Sequence, residues 1–175
     1  MKRSLPVALL FFLSLMVIYN GGCIFDPDKD DGETEDLLST PEGVAEQIER
    51  AYIRKDIDLY LDAMVDTTVF HFKPSDVDVA WPAPTWGKTE EEFFHRNMFR
   101  RAHHVEIALV GDIAEMISET PETWRLYREY DILVYLTEET LSEFSPAYGW
   151  AEFEIIKCDD DRYRIVDWYD LENPP

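Results

Sequence analysis

Apolar and polar positions divide the chain into three stretches with different rhythms. Lys2 and Arg3 open it, and an uncharged, largely apolar run from Leu5 to Ile18 follows without a period. From Ile24 to Ser39 charge takes over, with Asp26, Asp28, Asp30, Asp31, Glu33, Glu35 and Asp36 around a single Lys29. Such a stretch buries too little apolar surface to fold, and it repels itself. Beyond it the pattern becomes periodic. Val44, Ile48, Ala51 and Tyr52 share one helical face, behind Thr40 as N-cap and Pro41 in the first turn. The pattern breaks at Lys55-Asp56, where Asp56 caps a second helix carrying Ile57, Tyr60, Leu61, Met64 and Val65 at three-and-four spacing. The period then shortens to two: Thr68 to Phe72 is β-branched and aromatic and predicts a strand, ended by Pro74.

Residues 74–87 are rich in Pro and Trp (Pro74, Trp81, Pro82, Pro84, Trp86) and predict an irregular segment. A third helix follows, with Thr89 as cap, Glu92 three residues on as a capping box, and Phe94 and Met98 on a common face, ending near Arg101. The remainder alternates: Val105, Ile107 and Leu109; Trp124 and Leu126, then Tyr130 to Leu136; Ala151, Phe153 and Ile155; Tyr163, Ile165 and the Trp168 region. This order predicts an α+β domain over residues 39–175, with three N-terminal helices packed on a strongly curved antiparallel sheet. The 139 residues from Leu37 to Pro175 suit one domain with a sizeable core.

The opening apolar run is fourteen residues, whereas a membrane-spanning helix needs roughly 20. A basic start, a short apolar run and small residues after it together read as a signal peptide over residues 1–22. Asn20-Gly21-Gly22-Cys23 resembles the lipobox of bacterial lipoproteins, departing from it at Asn20, where an aliphatic residue is usual. The resemblance implies acylation of Cys23 and cleavage before it. It places the domain in the bacterial cell envelope, on the extracytoplasmic side of a membrane, the outer one in a Gram-negative cell. Ordinary cleavage with release, and an uncleaved anchor, are competing readings of the same segment. Residues 23–38 then form an acidic tether, spanning about 20–25 Å as a random coil. Asp26, Asp28 and Asp30 alternate as at the start of an EF-hand loop, but Asp31 stands at its sixth position and Leu37 at its twelfth, where Gly and Glu are needed.

Loss of Lys2 and Arg3 with the signal leaves fourteen basic residues against 37 acidic ones, a net charge of −23. A field of that sign repels nucleic acid and anionic lipid, so nucleic acid is excluded as a partner and the membrane link falls to the lipid on Cys23. With Cys23 acylated, Cys158 has no partner for an internal disulfide. The three acidic residues that follow Cys158 argue for a small structural filler, not a nucleophile.

The segments TPEGVAEQIERAYIRKDIDLYLDAM, TTVFHF, TWGKTEEEFFHRNMF, GWAEFEII and YRIVDWYD, in that order, resemble the nuclear transport factor 2-like superfamily over nearly all of residues 39–171. The resemblance implies a cone of helices against a bent sheet with a pocket between them. That superfamily includes ketosteroid isomerase, scytalone dehydratase and polyketide cyclases beside proteins that only bind or dimerise, so the fold does not give the function.

An isomerase of this kind needs a carboxylate base and an oxyanion donor facing each other in an apolar pocket. The candidates are Tyr60, His71, Asp131 and Asp167. His71 with Asp167 would make a dehydratase-like pair, yet a structural histidine and a solvent-facing aspartate explain them equally, and none of the four stands in a recognisable catalytic motif. His95, His103 and His104 lack a metal-ligand spacing, and neighbours on a strand point apart, so neither a metal nor a cofactor is expected. Arg128 falls on an apolar parity, to pair with a carboxylate or to meet an anionic ligand. Trp81, Trp86, Phe94 and Met98 are candidates to line the pocket, the tryptophans at its mouth or as a plug. Two classes remain: a membrane-anchored, non-catalytic module that holds a small apolar ligand or a protein partner, and a small isomerase, dehydratase or cyclase acting on a hydrophobic substrate. The missing constellation favours the module. Trp150 and Ile156, opposed to Phe153, make the strands apolar on both parities and predict a homodimer through the outer sheet face.

Overall fold

The computed structural model describes residues 36–73, 83–111, 114–138, 140–142 and 146–171. The signal segment, Cys23, almost all of the acidic tether, and Trp81 lie outside the described residues.

A short 3-10 turn, Leu37–Ser39, leads into helix α1, Pro41–Arg54. The hydroxyl of Thr40 accepts from the Gly43 amide at 3.1 Å, satisfying one of the amides that a helix start leaves without a partner. The helix stops where Lys55 enters the left-handed region, at φ 54°. Asp56 then accepts from the amides of Asp58 and Leu59 at 3.0 and 3.1 Å and starts α2, Ile57–Asp62. Met64 and Val65 do not continue that helix. They open strand β1, Met64–His71, because the Ile165 amide donates to the Ala63 carbonyl at 2.9 Å and draws the chain into the sheet.

Within the segment expected to be irregular, Thr85–Gly87 forms β2 against β1. Helix α3, Lys88–Arg101, starts one residue before the predicted Thr89 cap, since Glu90 reaches back to accept from the Gly87 amide at 3.1 Å. The remaining strands are β3 (His104–Val110), β4 (Ala114–Glu119), β5 (Glu122–Tyr135), β6 (Ala147–Lys157) and β7 (Tyr163–Leu171). They form one open, curved sheet in the order β2-β1-β7-β6-β5-β3, with β4 beside the first part of β5.

This corrects two expectations. The helices are not an N-terminal block, because α3 follows β1 and β2. The sheet is not wholly antiparallel either: β1 and β7 run parallel, which is open to them because the long chain between them supplies the crossover that a parallel pair requires.

Val44, Ile48 and Ala51 of α1 pack with Leu126, Phe153, Ile155 and Ile165, all fully buried. Burying a side chain of this size contributes roughly 1.5–3 kcal/mol, so these contacts fix which sheet face the helices cover. That inner face also holds Phe70 and Trp168, 5.4 Å apart, and Phe153, 4.5 Å from Trp168. Alternation places His71, Asp167, Tyr169 and Glu152 on the outer face.

Candidate functional site

On the inner side, all three helices contribute to one polar chain. Glu91, His95 and Phe99 repeat every four residues, which turns them to the buried face of α3. The Glu91 carboxylate accepts from the Tyr60 hydroxyl and lies 3.0 Å from His95 Nδ1, while His95 Nε2 lies 2.5 Å from the Tyr52 hydroxyl. The consistent arrangement keeps the imidazole proton on Nδ1, toward Glu91, and has Tyr52 donate to Nε2. Tyr60 stacks on the imidazole at 4.3 Å, and Tyr52 meets it edge-on at 5.2 Å. None of the four residues is more than 5% exposed. Burial, then the Glu91 charge, pushes the Tyr52 and Tyr60 phenols well above their usual range.

The sheet answers with a second set. Tyr130 crosses Gly149, its partner in register, and donates to Asp170 at 2.8 Å. A Cβ on Gly149 would lie 2.7 Å from the Tyr130 hydroxyl, so only glycine allows this crossing. Lys73 lies 3.7 Å from the other Asp170 oxygen. Tyr130 also raises the Tyr52 phenol, as the smallest of its causes. Arg128 is buried in the row Arg128, Ala151, Asp170 and donates to the Tyr127 carbonyl at 2.8 Å. Trp86 packs against Phe72 at 4.7 Å and Phe94 at 5.8 Å, and Met98 rests on the core.

The other sequence candidates go elsewhere. His71 Nε2 meets Asp167 at 2.7 Å, with Tyr169 stacked on the imidazole at 4.2 Å, but this half-buried pair is on the outer face. Arg125 stands on that same face, 2.8 Å from Glu152 and 3.3 Å from Glu115. Burial, then Asp167 and Glu154, raises the Tyr169 phenol. Asp131 is exposed, opposite Ala108 and Tyr148 in register. Tyr60 is therefore separated by the sheet from both His71 and Asp167. His104 stacks on Tyr135 at 4.1 Å, and His103 is exposed. Among the described residues, no group of three His, Cys, Asp or Glu side chains is placed to hold a metal. Sequence reasoning missed Tyr52, Glu91, Tyr130 and Asp170. The four-residue spacing of Glu91, His95 and Phe99 was the available signal.

No protein-family model and no curated protein sequence matches the chain. Solved structures do. A proposed aromatic ring hydroxylase from Novosphingobium aromaticivorans aligns over 82% of this chain and 93% of its own, at 16% identity and a TM-score of 0.58. A ketosteroid isomerase-like protein from Erwinia carotovora atroseptica covers 79% and 99%, at 13% and 0.52. A proposed dehydratase of the NTF2-like family from Streptomyces avermitilis covers 76% and 93%, at 11% and 0.53. The chain has the nuclear transport factor 2-like fold. Within that fold, the Tyr52–His95–Glu91–Tyr60 chain and the Tyr130–Asp170–Lys73 set line the side where helices face sheet, and the His71–Asp167 pair lies behind it. Identities this low carry the fold and not the chemistry.

Proposed function

We propose that the protein is a membrane-anchored extracytoplasmic lipoprotein whose domain holds a small, largely apolar ligand between helices and sheet without transforming it. The supporting observation is the division of polar groups between the two faces. The His–Asp pair best suited to proton transfer faces away from the helices. Inside, phenols pushed well above neutrality are tied into a hydrogen-bonded chain. Proton transfer is efficient when a group's pKa lies near the working pH, so Tyr52 and Tyr60 act as fixed hydrogen-bonding groups. Trp86, Phe72, Phe94 and Trp168 supply apolar contact, and Tyr130 with Asp170 and Lys73 supplies a polar end.

Native mass spectrometry of the full chain, purified from membranes, tests this. The expected spectrum carries a diacylglyceryl mass on Cys23 and a second, dissociable small-molecule mass. A domain that emerges empty and binds no apolar fluorescent probe overturns the ligand reading; an unmodified Cys23 overturns the anchor. A homodimer through the outer face belongs to the same proposal, and sedimentation as a strict monomer at high concentration removes it.

A second reading, a small dehydratase- or isomerase-type enzyme, draws on one observation: His95 is held by a carboxylate at one nitrogen and a phenol at the other, as a positioned base would be. It requires turnover of a hydrophobic substrate that is lost in His95→Gln while binding persists.

A further inference from the structure

The outer face of the sheet is divided in its turn. One part is tied up in pairs: His71 with Asp167 at 2.7 Å, Arg125 with Glu152 at 2.8 Å and Glu115 at 3.3 Å, and His104 with Glu106 at 3.4 Å. The other is a band across the strands from β7 to β3. Leu171, Trp150, Glu129 and Val110 are neighbours in register there, and Tyr148, Asp131 and Ala108 form the row beside them.

Tyr148 is 72% and Val110 61% exposed, with Glu129 and Asp131 exposed between them. Trp150, Leu171 and Tyr148 adjoin one another, and Val110 lies across Glu129. A contiguous apolar band of this kind marks a contact surface. Among the described residues, the side chains of Glu129, Asp131 and Glu154 enter no ion pair and no hydrogen bond. The strands from β1 to β3, about 4.8 Å apart and rising about 3.3 Å per residue, give the face roughly 600 Å². That is on the scale of the about 800 Å² per partner that a stable complex covers.

We propose that a second copy of this chain seats on the outer face and that the carboxylates there gate the contact, keeping the faces apart near pH 8 and letting them pair as the pH falls. The inference rests on the outer-face homodimer and adds its control. Near pH 8 an imidazole is ordinarily neutral. The cations of the face are then Arg125 and, at its foot, Arg164, which is held by Asp62 and Asp160. Glu129, Asp131 and Glu154 of two copies meet without a counter-charge. Like charges brought together hold protons more tightly, so a dimer binds more protons than two separate chains and gains stability as the pH falls. His71 and His104 add to this, each gaining charge beside a carboxylate. The phenols of Tyr127 and Tyr169, raised by burial, stay neutral throughout.

Once its imidazoles are charged, the face carries both signs. His71 and His104 stand at its margins, on β1 and β3, and the uncommitted carboxylates lie between them on β5 and β6. A second copy crossing at about 90° lays those margins over the middle strands, so the face is complementary to itself.

The test uses the full chain, purified from membranes in a density-matched non-ionic detergent, and sedimentation equilibrium at about pH 8 and about pH 5.5. The dimer should be at least about tenfold tighter at the lower pH. Salt at about 1 M should tighten it at the higher pH, because charges then act over only about 3 Å. Glu129→Gln/Asp131→Asn/Glu154→Gln should pair at the higher pH about fivefold or more tighter than the wild type does there. Tyr148→Ser/Val110→Ser should weaken pairing about tenfold at both pH values, with an unchanged circular dichroism spectrum. Equal pairing at both pH values, or tighter pairing at the higher one, overturns the gate and leaves the dimer standing. A monomer under every condition, the neutralised variant included, removes dimer and gate together. Pairing that Tyr148→Ser/Val110→Ser leaves untouched puts the contact elsewhere and overturns the inference. An oligolysine peptide that binds the chain at the higher pH more tightly than the chain pairs with itself at the lower one makes this a face for a basic partner, and overturns it as well.

Discussion

The two faces of the sheet carry polar clusters of similar composition in different surroundings. Inside, Tyr52, Tyr60, Glu91 and His95 are at most 5% exposed and partner one another. Outside, the His71 and Asp167 side chains keep 31% and 27% of their surface in water. An inner group that loses its partner has no water to turn to and carries the full desolvation cost, whereas an outer group is re-solvated and screened. The same residue types are thus structural commitments on one face and replaceable contacts on the other.

The largest expected effect is that of Glu91→Ala, which leaves the Tyr60 hydroxyl inside without its acceptor and leaves His95 Nδ1 only the Glu91 backbone carbonyl at 3.3 Å. It should cost about 3 kcal/mol or more, read from the urea midpoint. If the loss is under about 1 kcal/mol, water already reaches the inner chain and the contrast fails. Gly149→Ala forces the Tyr130 hydroxyl off its path to Asp170. About 1–3 kcal/mol is expected, together with weaker binding of an apolar probe.

A smaller and graded effect comes from alkali. Burial, then the hydrogen bond to Glu122 at 2.6 Å, pushes the Tyr163 phenol from 10.0 to about 12. Its folded-state pKa is raised, so its contribution is intact below pH 10, declines as the unfolded chain ionises first, and is gone above about pH 12. Unfolding midpoints across that window should fall less steeply in Tyr163→Phe. The least effect belongs to the outer face. His71→Ala should cost under about 1 kcal/mol, and a double-mutant cycle with Asp167→Ala should return a coupling of the same small size. A coupling as large as the inner effects would show that the outer face is covered in solution, as a second copy seated there would make it.

Much of the fold was legible in the sequence where the cause is local. Thr40 and Asp56 announce the starts of α1 and α2 because a cap depends only on the next three residues. The core strands β5, β6 and β7 show in their alternation. The short strand β2 was not legible, since its pairing is supplied by β1 and not by its own side chains. Strand β4 is mostly exposed and has no apolar alternation to announce it. Of the site, Tyr60 was legible as an aromatic on a helix face. Glu91 was not, because a carboxylate three residues into a helix reads as solvated until Tyr60 and His95 arrive from other parts of the chain to receive it.

Residues close together in the chain account for the basic and apolar start, the acidic stretch, the helix caps, the alternation of the main strands and an α+β domain. Packing between distant segments alone fixed that Thr85–Gly87 pairs with β1 as a strand, that β1 runs parallel to β7, and that His71 and Asp167 face away from Tyr60. Alternation says that successive side chains point to opposite faces; it does not say which face the helices cover. Where both parities are partly apolar, as in these strands, that choice is made by packing between distant segments.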